Sequence, residues 1–325
     1  MLVSRQYCFK RSLLETKLIG IPMLSPFYVQ PPVQHIQPVF RPPSEGSSLI
    51  FQVTNGCSWN RCTYCEMYTD EQKRFRLRDE AELLNEIQRC GESGLQPRRI
   101  FLADGDALVL SMRRLKTILQ AIQTWLPSVS RVSSYCLPSN LKNKSVDDLI
   151  ELEALGLKLI YVGAESGDNE ILRRIDKGET FDSTASAVIK AHEAGIKSSV
   201  MVINGIGGKT YSEQHAMESA RLVNLVQPNY LATLVLTFER GQEKVINGYG
   251  GQFTELSTLE LCTEMEQFIQ ATNLEKTIFR SDHVSNHLVL KGVLGKDKTQ
   301  MLSSIQQASD YFRDHPNYQH HTTDY

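Results

Sequence analysis

The stretch Asn55–Tyr68, NGCSWNRCTYCEMY, puts three cysteines, Cys57, Cys62 and Cys65, within nine residues. Four residues separate the first pair and two the second. Free cysteine usually behaves as a small buried hydrophobe, but the residues between these three are Ser, Trp, Asn, Arg, Thr and Tyr, a largely polar loop. A structural zinc site takes four ligands, and the chain has no second Cys-x-x-Cys pair to complete one. A thioredoxin-like use of Cys62 and Cys65 leaves Cys57 without a role. An iron–sulfur cluster takes thiolates as its normal ligands. Three thiols on a four-iron cluster leave one iron open to a small molecule.

The rest of the composition sets bounds. The 325 residues are 41% hydrophobic and 22% charged, as in an ordinary globular protein with room for a sizeable core. A formal net charge of −2 gives no global attraction to nucleic acid or anionic membranes. No run of about 18 apolar residues exists to span a membrane. The basic first segment lacks the apolar core of a signal peptide, and Met23 is read as an alternative start of translation. The seven cysteines are Cys8, Cys57, Cys62, Cys65, Cys90, Cys136 and Cys262. An odd count with one cluster is not a disulfide framework, so a reducing, cytoplasmic setting is expected.

Downstream of the loop, strand-like and helix-like runs alternate. Residues 48–53, 98–103, 131–137, 158–164, 197–204 and 229–238 read as strands. Helical spacing of apolar residues recurs at 79–90, 112–126, 145–155, 181–195 and 211–226, with Ser145 as a cap and Gly195 as a stop. Six such repeats predict a parallel sheet with right-handed crossovers. They are too few for a complete eight-fold barrel, and the pattern alone fits both an open partial barrel and a doubly wound sheet. Residues 1–46, rich in proline from 24 onward, read as an extended arm or linker. The core spans 47–245, a C-terminal extension 246–312 contains helices near 257–273 and 297–312, and 313–325 form a polar, disordered tail.

The cysteines follow the first strand, at the end of a parallel sheet where active sites are built. Here the loop is similar to that of the radical S-adenosylmethionine (radical SAM) enzymes. In that superfamily three loop cysteines hold a 4Fe-4S cluster, and the amino and carboxylate groups of S-adenosylmethionine chelate the fourth iron. An aromatic residue precedes the last cysteine, as Tyr64 does here. The usual first spacer is three residues. The spacer of four marks an iron–sulfur oxidoreductase-like subgroup and leaves the path of Ser58–Arg61 to be explained.

The resemblance implies further elements at strand ends. Asp104, Gly105 and Asp106 match a stretch that meets the amino group of S-adenosylmethionine. Glu165 and Ser166 match polar residues that contact its ribose or carboxylate, and Gly205 and Gly207 match a glycine-rich stretch near the adenine. Arg173, Arg174 and Lys177 read as a solvated basic face, with one arginine as a candidate for the carboxylate. Thr237 and Phe238 are weaker candidates for the cavity lining. The resemblance implies a partial (β/α)6 parallel barrel of α/β class, closed by the C-terminal extension. It also implies reductive cleavage of S-adenosylmethionine, a reductant such as flavodoxin or ferredoxin, and a substrate that the sequence does not identify.

Residues 203–210, INGIGGKT, are not a phosphate loop, because that motif needs glycine where Ile203 stands. Arg280, Asp282, His283 and His287 gather four ionisable groups, with the two histidines spaced to share a helix face. They are candidates for the substrate side or for a structural network. Two other classes remain open from the residues alone: a non-catalytic iron–sulfur sensor or electron carrier, and a zinc-stabilised binding module.

Overall fold

The computed structural model describes residues 31–238 and 241–315. Strand β1 (Leu49–Gln52) leads through β2 (Thr54–Asn55) into the cysteine loop, and β3 (Arg76–Leu77) returns antiparallel to β2. Then α1 (Glu80–Glu92), β4 (Arg99–Ala103), α2 (Met112–Trp125), β5 (Arg131–Tyr135), α3 (Val146–Ala154) and β6 (Leu157–Glu165) follow. Next come α4 (Asn169–Arg174), α5 (Phe181–Glu193), β7 (Lys197–Asn204), α6 (Gly208–Val226) and β8 (Tyr230–Val235). The C-terminal part contains α7 (Glu243–Gly248), α8 (Thr258–Ala271), β9 (Ile278–Ser281), β10 (Leu290–Val293) and α9 (Leu294–Asp314).

Local chemistry fixes the helix starts. Asp79, Ser111, Ser145, Asp168, Thr180 and Ser257 each cap a helix by accepting a hydrogen bond from a backbone N–H in its first turn. All but Asp168, whose short helix the apolar spacing did not announce, stand at boundaries that the spacing predicts.

The main sheet runs β1-β4-β5-β6-β7-β8-β9-β10, parallel throughout except for the final β9–β10 pair. This is the expected partial barrel with two more strands. The extension adds a seventh parallel strand and an antiparallel eighth, which four-residue strands with little alternation did not announce. The region 282–289 forms turns rather than a helix, so His283 and His287 share no helix face.

Strand alternation sorts residues onto two faces. Phe51, Ile100, Leu102, Val162, Val200 and Leu231 point outward and bury against the helices in the main core. The inner face carries a smaller apolar floor built from Ile50, Phe101, Leu159 and Tyr161, with Tyr135 and Tyr230 packed on it. A third cluster, with Ile171, Ile203, Leu234 and Tyr249, covers the ends of β7 and β8.

Residues 31–46 are not the linker that their proline content suggested. Val39 is buried in the inner floor, and Phe40 packs edge-on against Tyr68 with ring centroids 5.3 Å apart. The Ile36 backbone N–H donates to Gln52 Oε1 at 2.8 Å, alongside the open edge strand β1. Glu45 is fully buried and accepts from Arg131 Nη2 and the Tyr161 hydroxyl, each at 2.7 Å. The expected segment 1–30 and most of the tail, residues 316–325, lie outside the described residues. The last helix runs on to Asp314, slightly past the boundary expected at 312.

Candidate functional site

Cys57, Cys62 and Cys65 are free thiols, half-buried, at the end of β1. They lie within electrostatic reach of one another: Cys57 acts on Cys65, and Cys65 on Cys62. Burial pushes each thiol up to about 11, against the lowering influence of Lys177, which reaches all three. Among the described residues no three His, Cys, Asp or Glu side chains converge as ligands of a single metal ion.

The longer first spacer has a docking partner. Trp59 Nε1 donates to Asp176 O at 2.6 Å, and Arg61 forms an ion pair with the Asp176 carboxylate at 3.1 Å. The Arg61 guanidinium lies over the Trp59 ring, 4.9 Å from its centroid. Gly178, at φ +72°, leaves the ring its space: a Cβ there would fall 2.4 Å from Trp59 Cζ2. The added residue therefore anchors the loop to the segment after α4.

Asp104, Gly105 and Asp106 sit directly beneath the loop. A Cβ on Gly105 would lie 2.7 Å from Cys57 Cβ, so only glycine admits this approach. Asp106 accepts from the Ser58 backbone at 2.8 Å, from the Ser58 hydroxyl at 2.5 Å and from Asn140 Nδ2 at 3.1 Å. Asp104 pairs with Lys73 and accepts from Gln52 Nε2 at 3.0 Å. Both carboxylates and Lys73 are fully buried. Burial raises the pKa of each aspartate, and their hydrogen bonds and the Lys73 charge oppose that rise. These carboxylates brace the loop, and Asp104 keeps one buried oxygen, Oδ1, without a hydrogen bond of good geometry.

Glu165 ends β6 in the left-handed region, at φ +63°. Its Oε1 accepts from Lys177 Nζ at 2.8 Å, and both side chains are buried. Its Oε2 is buried without a sound hydrogen bond. Tyr64 borders this carboxylate, and its hydroxyl pKa is raised by burial and by the Glu165 charge. Lys177 is thus no part of a solvated basic face. Burial would lower its pKa, but the charge of Glu165, the nearby thiols and the hydrogen bond raise it overall. Arg173 and Arg174 both pair with Glu170, and Arg174 also lies over the rings of Tyr211 and Tyr249.

Ser166 is turned to structure. Its hydroxyl bonds His215 Nδ1 at 2.8 Å and accepts from the Asp168 backbone at 3.0 Å. Gly205 and Gly207 are buried, and the Gly205 N–H donates to Glu264 Oε1 at 2.7 Å. Glu264 belongs to α8, so the C-terminal extension holds the glycine-rich turn. Thr237 is exposed and Phe238 half-exposed at the end of β8. His283 Nδ1 accepts from the Ser285 backbone N–H at 3.2 Å, and Asp282 pairs with Lys291 at 3.0 Å, a local network away from the thiols.

Lys73, Asn140, Lys177 and Glu264 were not legible as site residues. Each is brought in across a long chain separation or past an intervening helix.

Among solved structures, coproporphyrinogen III oxidase of Escherichia coli, described as a radical SAM enzyme, matches 69% of this chain and 52% of its own at a TM-score of 0.51 and 14% identity. Methylornithine synthase matches 82% of this chain and 81% of its own at 15% identity and a TM-score of 0.49. The first likeness shows the fold. A heme chaperone of Bacillus subtilis is 24% identical over 143 residues, 43% of this chain and 37% of that relative. The chain spans about a third of the length of the curated relatives it matches. The family model of the radical SAM superfamily matches residues 51–223, more than half of the chain, from within β1 to within α6. With that match over this sheet and its cysteine loop, the chain belongs to the radical SAM superfamily.

Proposed function

We propose that Cys57, Cys62 and Cys65 hold a 4Fe-4S cluster and that the enzyme uses it to cleave S-adenosylmethionine reductively. Held by these three thiolates, a reduced cluster would supply the one-electron chemistry that splits S-adenosylmethionine for hydrogen abstraction from a substrate. The donor set fits these groups: three free thiols within electrostatic reach of one another, a buried cation beside them, and a buried carboxylate oxygen at Glu165 that has no hydrogen bond of good geometry, with the Tyr64 hydroxyl bordering it. That orphaned Oε2 is the observation that carries the reading. A buried acceptor without a partner is costly, and a ribose hydroxyl or ammonium would satisfy it.

The chain's own residues divide the work. Lys177 fixes Glu165 and offsets the negative charge that three thiolates bring. Asp106 and Gly105 set the position of the loop, and Asp104 with Lys73 supports it from below. Gly205 and Gly207 shape the turn after β7, where the adenine is expected, with exposed Thr237 and half-exposed Phe238 on its open side. Glu165 is the assigned cosubstrate contact, and Ser166 holds its turn through His215. The electron donor is expected to be a small redox protein such as a flavodoxin or ferredoxin, and the setting cytoplasmic.

Anaerobic reconstitution with iron and sulfide, then dithionite and S-adenosylmethionine, tests the reading by the formation of 5′-deoxyadenosine. Its absence from a fully reconstituted protein would overturn it.

A further inference from the structure

One row of the inner face crosses four strands in register: Gly163 on β6, Met201 on β7, Ala232 on β8 and Arg280 on β9. Lys291 of β10 continues it, directly opposite Arg280. The row begins under the Glu165 carboxylate, which lies over Gly163. It ends at an exposed guanidinium. Arg280 has no ion pair among the described residues; its one side-chain hydrogen bond, to the Phe279 carbonyl, is long at 3.4 Å. Arg131 pairs with Glu45, Lys177 with Glu165 and Lys291 with Asp282, while Arg99 and Lys197, also of this face, stand at the amino-terminal starts of β4 and β7, away from the strand ends that carry the site.

We propose that Arg280 is a specificity-determining residue that holds an oxyanion, a carboxylate or phosphate, on the substrate. The inference rests on the inner face being the substrate side of the enzyme proposed above. Three strand spacings of about 4.8 Å separate Gly163 from Arg280, roughly 14 Å along the sheet. That is the length of a small metabolite. Between them stand Met201 and the small Ala232, and Tyr135 and Tyr230 pack on the apolar floor of the same face. The row thus suits a substrate with an apolar or aromatic body and an anionic end, its far end toward Glu165 and the thiols. Arginine offers a planar pair of donors that matches such an oxyanion bidentately.

The test uses the reconstituted full chain with S-adenosylmethionine present, and phenylacetate, phenyl phosphate and benzyl alcohol as probes in calorimetric titrations. The expected result is millimolar binding of at least one anionic probe, weakened about tenfold or more by Arg280→Gln and partly restored by Arg280→Lys. Benzyl alcohol should respond to neither substitution. Preference for one anion tells carboxylate from phosphate. Failure of both anionic probes to bind the wild type, or equal binding by Arg280→Gln, overturns the proposal. So does loss of S-adenosylmethionine affinity in Arg280→Gln, which would move this residue to the cosubstrate. Absence of 5′-deoxyadenosine in the separate reductive assay would instead count against the proposed function.

Discussion

The Glu165 carboxylate occupies the space that a side chain at residue 163 would need: a Cβ on Gly163 falls 2.1 Å from Oε1 and 3.3 Å from Lys177 Nζ. Gly163→Ala should therefore swing the carboxylate away while the strand persists, because the clash is with the end of a flexible side chain. The expected outcome is a soluble protein whose S-adenosylmethionine affinity falls at least about tenfold, ~1.4 kcal/mol. Calorimetric titration checks it.

Single Cys57→Ala, Cys62→Ala and Cys65→Ala variants should each fail to retain the full complement of about four irons after reconstitution. Cys90 and Cys136 are buried in the main core and are not part of the loop. Their alanine variants should keep the iron and lose stability by roughly 1 kcal/mol. Iron and sulfide analysis with the visible spectrum distinguishes the two groups. Equal loss from all five would refute the ligand assignment.

Lys73 and Asp104 form a fully buried ion pair beneath Cys57. Lys73→Met strands the aspartate and should cost about 3–5 kcal/mol in urea denaturation. Replacing both, as Lys73→Met with Asp104→Leu, should recover part of that loss. A Lys73→Met variant as stable as the wild type would show that the pair contributes nothing.

Trp59 and Gly178 should be energetically coupled. Gly178→Ala introduces a methyl group against the indole at a left-handed backbone position. Removing the ring in Trp59→Ala relieves the contact but not the backbone strain. The double-mutant cycle should give a coupling of about 1 kcal/mol or more, read from denaturation midpoints.

The pH dependence of stability should show His283. Burial lowers its pKa from the ordinary value of about 6.5 to about 4. Its Nδ1 accepts from the Ser285 N–H, so the fold holds the neutral ring. The unfolded chain binds the proton more readily, so this contribution is complete above about pH 6.5 and declines as the pH falls toward 4. His283→Asn should flatten that stretch of the stability–pH curve, measured as urea midpoints from pH 4 to 7.5.

The periodic elements were legible because spacing and capping are local. Leu115, Ile118, Leu119 and Ile122 mark α2 by period, and Ser145 marks the start of α3. The three cysteines were legible because few other roles need three thiols in nine residues. The partners of the site were not. Lys177 stands beyond a helix from Glu165, and in sequence it resembles its exposed neighbours Arg173 and Arg174. Lys73 sits in a charged run, DEQKRFR, that reads as solvated surface. Asp104 and Asp106 were placed at the correct strand end, but their hydrogen-bond partners come from Ser58, Asn140, Gln52 and Lys73, which only the assembled fold brings together. Glu45 lies in a proline-rich stretch whose composition hid a buried anchor.

That anchor bears on how the protein can be divided. The family match begins inside β1 and stops in α6, yet β1 offers an unpaired edge that residues 33–36 accompany, and Glu264 of α8 fixes Gly205. A fragment trimmed to residues 51–223 would bare a strand edge open to pairing with other chains and release the turn after β7. The smallest autonomous unit is therefore larger than the span the family model matches, with both flanks as integral parts of it.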